Sequence, residues 1–252
     1  MKNAALPALA VATALLTAPA AAQEKAPTPS HPPGSRGGLY TALWLTTDYR
    51  YQGVSNSDNH PAIQGVIHYF RPDGWYAGLF ATQVDYGYAQ SPDYELDFYA
   101  GRTIPLDRKT DLKPQVLVTV FPDNHTPGPT FDFVQGGASI IRKEGPLTLT
   151  ALATYVPNGS YTTKQVWRGE IAADYALTKA VTLKSLAGHT WAENGRSRSY
   201  WSLGAAAKWR WLGVEVRYQD TNLSKRQCGF NPDICGPAVS GLLTADFPLI
   251  LF

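Results

Sequence analysis

Charged and polar side chains recur at every second position along several segments of this chain. From Val166 to Leu177, Arg168, Glu170 and Asp174 alternate with apolar residues, and successive side chains of an extended strand point to opposite faces. Charges on the inner face of a closed sheet can select ions and orient small polar solutes. The alternation predicts that a channel is lined by Asp48, Arg50, Gln52, Glu95, Asp97, Arg168, Glu170, Asp174, Lys184, Lys208, Arg210, Glu215 and Arg217.

The signs of these charges leave two interpretations open. Acidic residues are concentrated in the early segments and basic ones in the later segments, so they would create a transverse field if they faced each other across a lumen. Alternatively, the charges pair with one another and fill the interior, because buried charges need partners and a small barrel has limited room. Asp48 and Arg50, two residues apart on one face, are a candidate pair of this kind.

The sequence does not bring catalytic residues together. His189 and Ser185 share a strand face but are four residues apart, about 13 Å along a strand, and the chain has no Gly-x-Ser-x-Gly elbow. The aspartates predicted to lie in loops lack the Asp-x-Asp-x-Asp spacing of a calcium loop. We therefore predict neither an enzyme nor a metal or cofactor site.

The N-terminal segment and the cysteines predict export. Residues 1–22 combine Lys2, an apolar stretch and three final alanines, the layout of a cleaved signal peptide. Residues 23–38 are rich in Pro and Gly and predict a disordered leader. In an oxidising compartment, Cys228 and Cys235 are expected to form a disulfide that staples a loop.

The composition argues against a nucleic-acid partner and favours a membrane-embedded protein. The formal charge is +2, and no cluster of Lys and Arg could follow a phosphate backbone. Charged residues are scarce at 17%, whereas aromatic residues reach 12%. Several of them, including Trp167, Trp201, Trp209 and Tyr218, fall near the ends of apolar strand faces, where a barrel carries its aromatic girdles.

Residues 39–252 predict an all-β fold, a single-chain antiparallel transmembrane β-barrel. About 214 residues, at roughly 18 for each strand with its connections, give about twelve strands, and ten or fourteen remain compatible. Alternation and turn signals place the strands at Leu39 to Gly53, Ala62 to Phe70, Trp75 to Tyr86, Tyr94 to Leu106, Leu112 to Pro122, Phe131 to Arg142, Leu147 to Pro157, Val166 to Leu177, Val181 to Ala192, Tyr200 to Trp211, Val214 to Asn222 and Val239 to Phe252.

The connections between these strands alternate between short and long. Outer-membrane barrels have short periplasmic turns and longer external loops, so both termini are predicted to lie in the periplasm and the cysteine loop outside the cell. A soluble β-sandwich is the alternative for an alternating sequence. The apolar faces here mix bulky residues with many Ala and Gly, which suits lipid better than a tightly packed core.

The last segment carries a separate signal. Phe252 ends the final strand, and we expect the barrel-assembly machinery of the outer membrane to recognise it. Residues 247–252 are apolar in both phases, and Pro248 cannot donate a hydrogen bond to a neighbouring strand. Closure against the first strand is therefore predicted to be irregular near Pro248.

The first hairpins resemble a known family. The similarity to the proteobacterial TorF family of porin-like proteins is carried by Leu45 to Ser57, Pro61 to Gly65, Gly74 to Gly78, Val84-Asp85 and Glu95 to Gly101. The chain departs from that family at Gln52, where Arg is more frequent, and in the final strand, which lacks the expected Ser/Lys alternation. The resemblance implies an outer-membrane barrel with a channel role.

Together these features predict a porin-like channel in the outer membrane of a Gram-negative cell, through which small hydrophilic solutes diffuse passively. The alternative is a non-conducting structural or ligand-binding barrel that acts through its external loops. Expected partners are outer-membrane lipid, lipopolysaccharide, the assembly machinery and small hydrophilic solutes. Arg196 and Arg198, in the fifth external loop, are candidates for contact with lipopolysaccharide phosphates.

Overall fold

Alternation of apolar and polar side chains produces twelve long antiparallel strands in the computed structural model of this chain. The structure describes residues 36–228, 231–247 and 250–251. The predicted signal peptide, the leader up to residue 35, Pro248 and Phe252 lie outside the described residues. In chain order the strands are β1 (Gly38–Thr46), β2 (Ala62–Phe70), β3 (Trp75–Gln83), β4 (Tyr94–Arg102), β5 (Thr110–Val120), β6 (Phe133–Glu144), β7 (Leu147–Val156), β8 (Val166–Ala176), β9 (Val181–Ala192), β10 (Arg198–Trp209), β11 (Leu212–Thr221) and β12 (Ala238–Asp246).

The predicted number of strands is confirmed, and β2 and β9 have the predicted bounds. The first strand differs most, because it is predicted to run to Gly53 but ends at Thr46. Residues 50–51 and 54–55 pair with each other in a small separate hairpin. Gln52 and Gly53 have φ angles of 55° and 76°, which a continuous strand cannot contain. The prediction for this strand is therefore wrong beyond Thr46.

The sheet closes on itself through its first and last strands. Each strand pairs with its neighbour in the sequence, and β12 pairs with β1 as far as Ala42 opposite Asp246. Pairing resumes with Leu39 opposite Ile250, so three steps along β1 correspond to four along the last segment. Pro248, where irregular closure is expected, lies outside the described residues, so that expectation stays a prediction.

The connections alternate between short and long around the barrel, except that residues 103–109 at one end outnumber residues 193–197 at the other. Short turns occupy residues 71–74, 103–109, 145–146, 177–180 and 210–211, at what we call the turn end. Longer connections occupy residues 47–61, 84–93, 121–132, 157–165, 193–197 and 222–237, at the loop end. Gly38 and the paired residues 250–251 lie at the turn end. That the turn end faces the periplasm stays a prediction. Among the described residues, no helix is long and apolar enough to cross a membrane.

The outer face of the barrel is apolar and carries tryptophans near both ends. Trp167, Trp191 and Trp201 lie towards the loop end, and Trp75, Trp209 and Trp211 towards the turn end, and each is at least 40% exposed. Along β10, Trp201 and Trp209 are separated by about 27 Å, or about 21 Å along the barrel axis at a tilt of about 40°. This spacing is close to the height of the apolar band of an outer-membrane barrel, about 25 Å.

The inner face divides into two unlike halves. Large side chains from β1 to β5 and from β12 pack together inside the barrel, namely Trp44, Val66, Phe70, Tyr76, Phe80, Tyr99, Leu117 and Leu242. On β6 to β10, small residues such as Gly137, Ser139 and Ala172 face inward between charged side chains. Large apolar and aromatic side chains therefore fill the first half, whereas the inward side chains of the second half are small or polar.

Inward tyrosines lie across glycines of neighbouring strands. A Cβ at Gly78 would come closer than 3.0 Å to the ring of Tyr99, and one at Gly188 would come equally close to the ring of Tyr200. The Tyr200 hydroxyl thereby reaches Glu170 Oε1 at 2.8 Å. The glycines thus let aromatic side chains lie flat along the wall, so that a polar tip can reach a strand two positions away.

Candidate functional site

The connection between β1 and β2, residues 47–61, folds into the barrel at the loop end; we call it the inserted loop. Its hairpin turns at Gln52 and Gly53, whose positive φ angles suit the two central positions of a type I′ turn. A Cβ on Gly53 would lie 2.9 Å from the carbonyl oxygen of Asp220, at the end of β11. Glycine therefore allows the hairpin tip to approach the barrel wall.

The hairpin tip is docked on β8, β9 and β10, which are three to five strands from β1 when counted through β12. Gln52 Oε1 accepts hydrogen bonds from Thr190 Oγ1 at 2.9 Å and from Arg198 Nη2 at 2.6 Å. The ring of Tyr51 lies 5.5 Å from the Arg168 guanidinium, in cation–π geometry. The inserted loop therefore crosses the lumen.

Arg50 holds the base of the hairpin. Its Nη1 lies 2.8 Å from Asp48 Oδ2. Its Nη2 donates to the carbonyl oxygens of Gly53 at 3.0 Å and of Ile234 and Gly236 at 2.8 Å each. The Arg50 side chain is only 1% exposed, so these charge-assisted bonds are shielded from water and contribute strongly to the position of the loop.

The segment that accepts these bonds is closed by a disulfide. Cys228 and Cys235 are joined, with their Cα atoms 5.6 Å apart. Together with Ile234 they form a small buried cluster against which Val54 of the hairpin packs. The backbone N–H of Ser55 also donates to the carbonyl oxygen of Ile234 at 2.9 Å. The disulfide loop is thus the anchor for one side of the inserted loop.

The other side of the inserted loop packs on β3 and β4. The ring of Tyr49 meets that of Phe80 edge-on, with centroids 6.4 Å apart. Its hydroxyl donates to Glu95 Oε1 at 3.3 Å. Burial, and after it the negative charge of Glu95, raises the pKa of Tyr49 well above its usual value. The hydroxyl therefore stays protonated and remains a donor.

The inward charges of β8 to β11 pair within their own arc. Arg168 lies 3.4 Å from Glu170, and Glu215 is 2.8 Å from Lys184 and 2.5 Å from Arg217. Acidic and basic groups therefore do not form two separate arcs on this wall. The charge pairing of the second interpretation is therefore present, and the predicted Asp48–Arg50 pair is among the pairs.

The remaining predicted lining residues occupy different places. Glu95, Asp97 and Asp174 are buried inside the barrel. Lys208 is about half exposed at the turn end, 2.5 Å from Asp246. Arg210 lies in the turn after β10 with φ 56°, and its guanidinium lies over the Trp209 ring. Its expected position on an inward strand face is thus corrected, because the strand ends at Trp209.

A cleft of about 230 Å³ lies beside the docked hairpin tip, against the wall formed by β6 to β10. Arg168, Arg196 and Arg198 lie around it, together with Tyr51, Gln135 and Thr190. None of the described residues that line the cleft is Asp or Glu. Arg198 was a candidate for contact with lipopolysaccharide. In the structure its side chain lines this cleft, on the lumen side of the barrel.

Two residues of the inserted loop and one of the next long loop bring metal-ligating groups together. Asp58, His60 and Asp85 have ligand atoms within 4.8 Å of one another, and Asp85 and His60 are exposed. Oxygen and imidazole ligands suit several divalent metals. Among the described residues, no other group of three His, Cys, Asp or Glu side chains has its ligand atoms this close together.

Sequence reasoning missed the contacts that dock the hairpin. It placed Gln52 on a strand and Arg198 in an external loop, whereas Gln52 forms a hairpin turn and both residues line the cleft. The local signal at Gln52-Gly53 is weak, because Gly suits the second position of a two-residue hairpin turn but the first position favours Asn, Asp or Gly. The partners of that hairpin are more than 130 residues away, as for Gln52 and Thr190, and no local pattern indicates them.

The family of the chain follows from its match to a protein-family model. The model is described as "Bacterial protein of unknown function (Gcw_chp)" and matches residues 33–233, about four fifths of the sequence. The chain belongs to the Gcw_chp family. This match spans the barrel from before β1 to the disulfide loop. The TorF name is not confirmed by it and stays a resemblance of the first hairpins. No curated protein matches the chain.

Solved outer-membrane porins share the fold of this Gcw_chp protein. A KdgM porin superposes with a TM-score of 0.54 at 7% identity, covering 84% of this chain and 98% of the porin. The NanC porin gives 0.56 at 11% identity, covering 84% and 99%. A KdgM porin in complex with disordered oligogalacturonate gives 0.54 at 9% identity with the same coverage as NanC. At these identities the likeness shows the fold, a closed twelve-stranded antiparallel barrel.

Proposed function

We propose that this Gcw_chp protein is a porin-like channel of the outer membrane, through which small hydrophilic solutes diffuse passively past the inserted loop. The observation that carries the proposal is the inserted loop itself, which crosses a polar lumen and docks Gln52 on Thr190 and Arg198. A loop folded into a barrel narrows the lumen without filling it, which is how a pore sets a size limit. The shared fold with porins supports the same function.

The proposed path for solutes runs along β6 to β10. The opposite half is occupied by aromatic side chains such as Trp44 and Phe80, whose ring centroids are 5.8 Å apart. On the β6 to β10 side, the inward residues Gly137, Ser139 and Ala172 are small. Solutes there would pass the paired charges of β8 to β11, which provide hydrogen-bond partners without a strong net field.

The outer membrane is the proposed location because the outer face has an apolar band between two tryptophan groups. Lipid and lipopolysaccharide would surround this band. The C-terminal Phe252 is the proposed recognition element for the assembly machinery. Membrane fractionation of cells expressing the full chain tests the location, and recovery of the protein only in the soluble fraction would contradict it.

A non-conducting, ligand-binding barrel is the second candidate. The observation in its favour is the density of contacts inside the barrel, where Arg50 is 1% exposed on its side chain and the inward charges are paired. A sealed barrel would then act through its long loops. The two candidates differ in one property, the permeability of the folded protein.

Single-channel recording separates the candidates. The refolded full chain is inserted into a planar bilayer in symmetric salt, and discrete conductance steps are expected. Swelling of liposomes in solutions of small neutral sugars provides a second measure of passage. Protein that inserts, as judged by its heat-dependent migration in gels, but produces neither steps nor swelling would exclude the channel and leave the ligand-binding barrel.

A further inference from the structure

We infer that the cleft behind the hairpin tip is a binding site for a small hydroxylated organic anion about the size of one sugar ring. This inference rests on the proposed function, because it names the class of solute that the channel would capture at its loop end. Three features support it: the sign of the charges around the cleft, its volume, and the polar groups and aromatic ring within it.

The charges around the cleft are positive. Arg168, Arg196 and Arg198 contribute guanidinium groups, and no carboxylate belongs to its described lining. Arg168 also lies 3.4 Å from Glu170, which is deeper in the barrel. Arg198 donates to the neutral backbone and amide oxygens of Gln52, and Arg196 is exposed at the rim. The guanidinium fork matches a carboxylate or phosphate group, so the cleft favours an anion.

The volume limits the size of the ligand. A cleft of about 230 Å³ corresponds to about eight water molecules at roughly 30 Å³ each in the liquid. That volume suits a molecule with one ring and excludes a compact oligomer inside the cleft. Longer molecules would have to leave their remaining units in the mouth of the barrel.

The other lining groups fit a hydroxylated ring. Thr154 and Thr190 provide hydroxyls, and Gln135 provides an amide that can both donate and accept hydrogen bonds. The ring of Tyr51 forms an apolar surface at the hairpin side of the cleft. Side chains that combine these groups can bind the polar edge and the apolar face of a sugar ring at once. Because Tyr51 belongs to the inserted loop, bound ligand would contact the constriction itself.

The test compares two probes with the same ring. D-glucuronate carries a carboxylate where D-glucose carries a hydroxymethyl group. Binding of each to the refolded full chain in detergent is measured at low ionic strength by saturation-transfer-difference NMR. We expect glucuronate to bind about tenfold more tightly, since one charge-assisted hydrogen bond exceeds a neutral one by about that factor. The preference should decrease in high salt, which screens exposed charges.

Two matched variants locate the site. R196Q removes a rim charge without altering a strand and should weaken glucuronate binding about tenfold, while glucose binding stays unchanged. R226Q makes the same change at an exposed arginine outside the cleft and should leave both constants unchanged. Equal binding of the two probes, or equal effects of R196Q and R226Q, would overturn the inference. Conductance steps with neutral salt do not depend on this site, so failure here and failure of the channel are distinguishable.

Discussion

At the scale of residues, Arg50 is the group whose contacts define the site. Its guanidinium joins the hairpin to Asp48 and to two carbonyl oxygens of the disulfide loop, at 2.8 Å each. This long cationic side chain is buried with oxygen acceptors at both of its Nη atoms. The alternation of side chains alone predicted that Arg50 points inward. The structure adds that its hydrogen bonds hold the inserted loop in place.

Removing these hydrogen bonds should release the inserted loop. R50Q leaves the carboxylate of Asp48 without its cation and should cost the docked loop about 3 kcal/mol, as for a broken buried ion pair. Hydrogen–deuterium exchange of peptides covering residues 47–61 should then become roughly hundredfold faster. R71Q, at an exposed pair with Asp73 in a turn, is the control and should not alter this exchange. Unchanged exchange in R50Q would show that other contacts hold the loop.

Two substitutions of Gln52 should change the stability of the docked hairpin in opposite directions. Its Oε1 accepts from Arg198 at 2.6 Å, so Q52E should strengthen docking and Q52R should place two guanidiniums together. Chymotryptic cleavage after Tyr51 should become about fivefold slower in Q52E and faster in Q52R, corresponding to about 1 kcal/mol in each direction. Changes of the same sign in both variants would contradict the assigned contact.

At the scale of elements, the strands were predictable and the inserted loop was not. Alternation between apolar and polar side chains is local, so it located β2 and β9 to the residue. It also placed Glu95, Arg168 and Arg217 on the inner face. The end of β1 depends on Gln52 and Gly53 adopting positive φ, and the path of the loop depends on partners in β9, β10 and the disulfide loop. Those contacts are long-range and leave no periodic trace in the sequence.

The disulfide loop should matter for the inserted loop more than for the barrel. Closing a loop of eight residues stabilises it by about 2–3 kcal/mol in the chain-entropy description. In C228S/C235S we expect faster proteolysis within residues 47–61, since the carbonyl acceptors of Arg50 become mobile. The thermal midpoint of β-sheet loss, followed by circular dichroism, should change by only a few degrees. A large fall in that midpoint would show that the disulfide supports the whole barrel.

At the scale of the whole molecule, the two tryptophan groups define where the bilayer lies. Six tryptophans are exposed on the outer face, whereas Trp44 is buried inside. In vesicles of brominated lipid, quenching should be strongest when bromine is near the headgroups, because both groups lie at the edges of the band. A variant that keeps only Trp44 should be quenched little. Strong quenching of Trp44 would contradict its inward position.

The central claim is that the inserted loop constricts a conducting barrel, and single-channel conductance tests it most directly. Wild-type protein is compared with a variant in which residues 50–55 are replaced by a flexible Gly-Ser linker, which removes Arg50, Tyr51 and the Gln52-Gly53 turn. The account predicts discrete steps in both proteins, with a larger and less regular conductance in the variant. No steps from either protein, or equal conductance in the two, would contradict it.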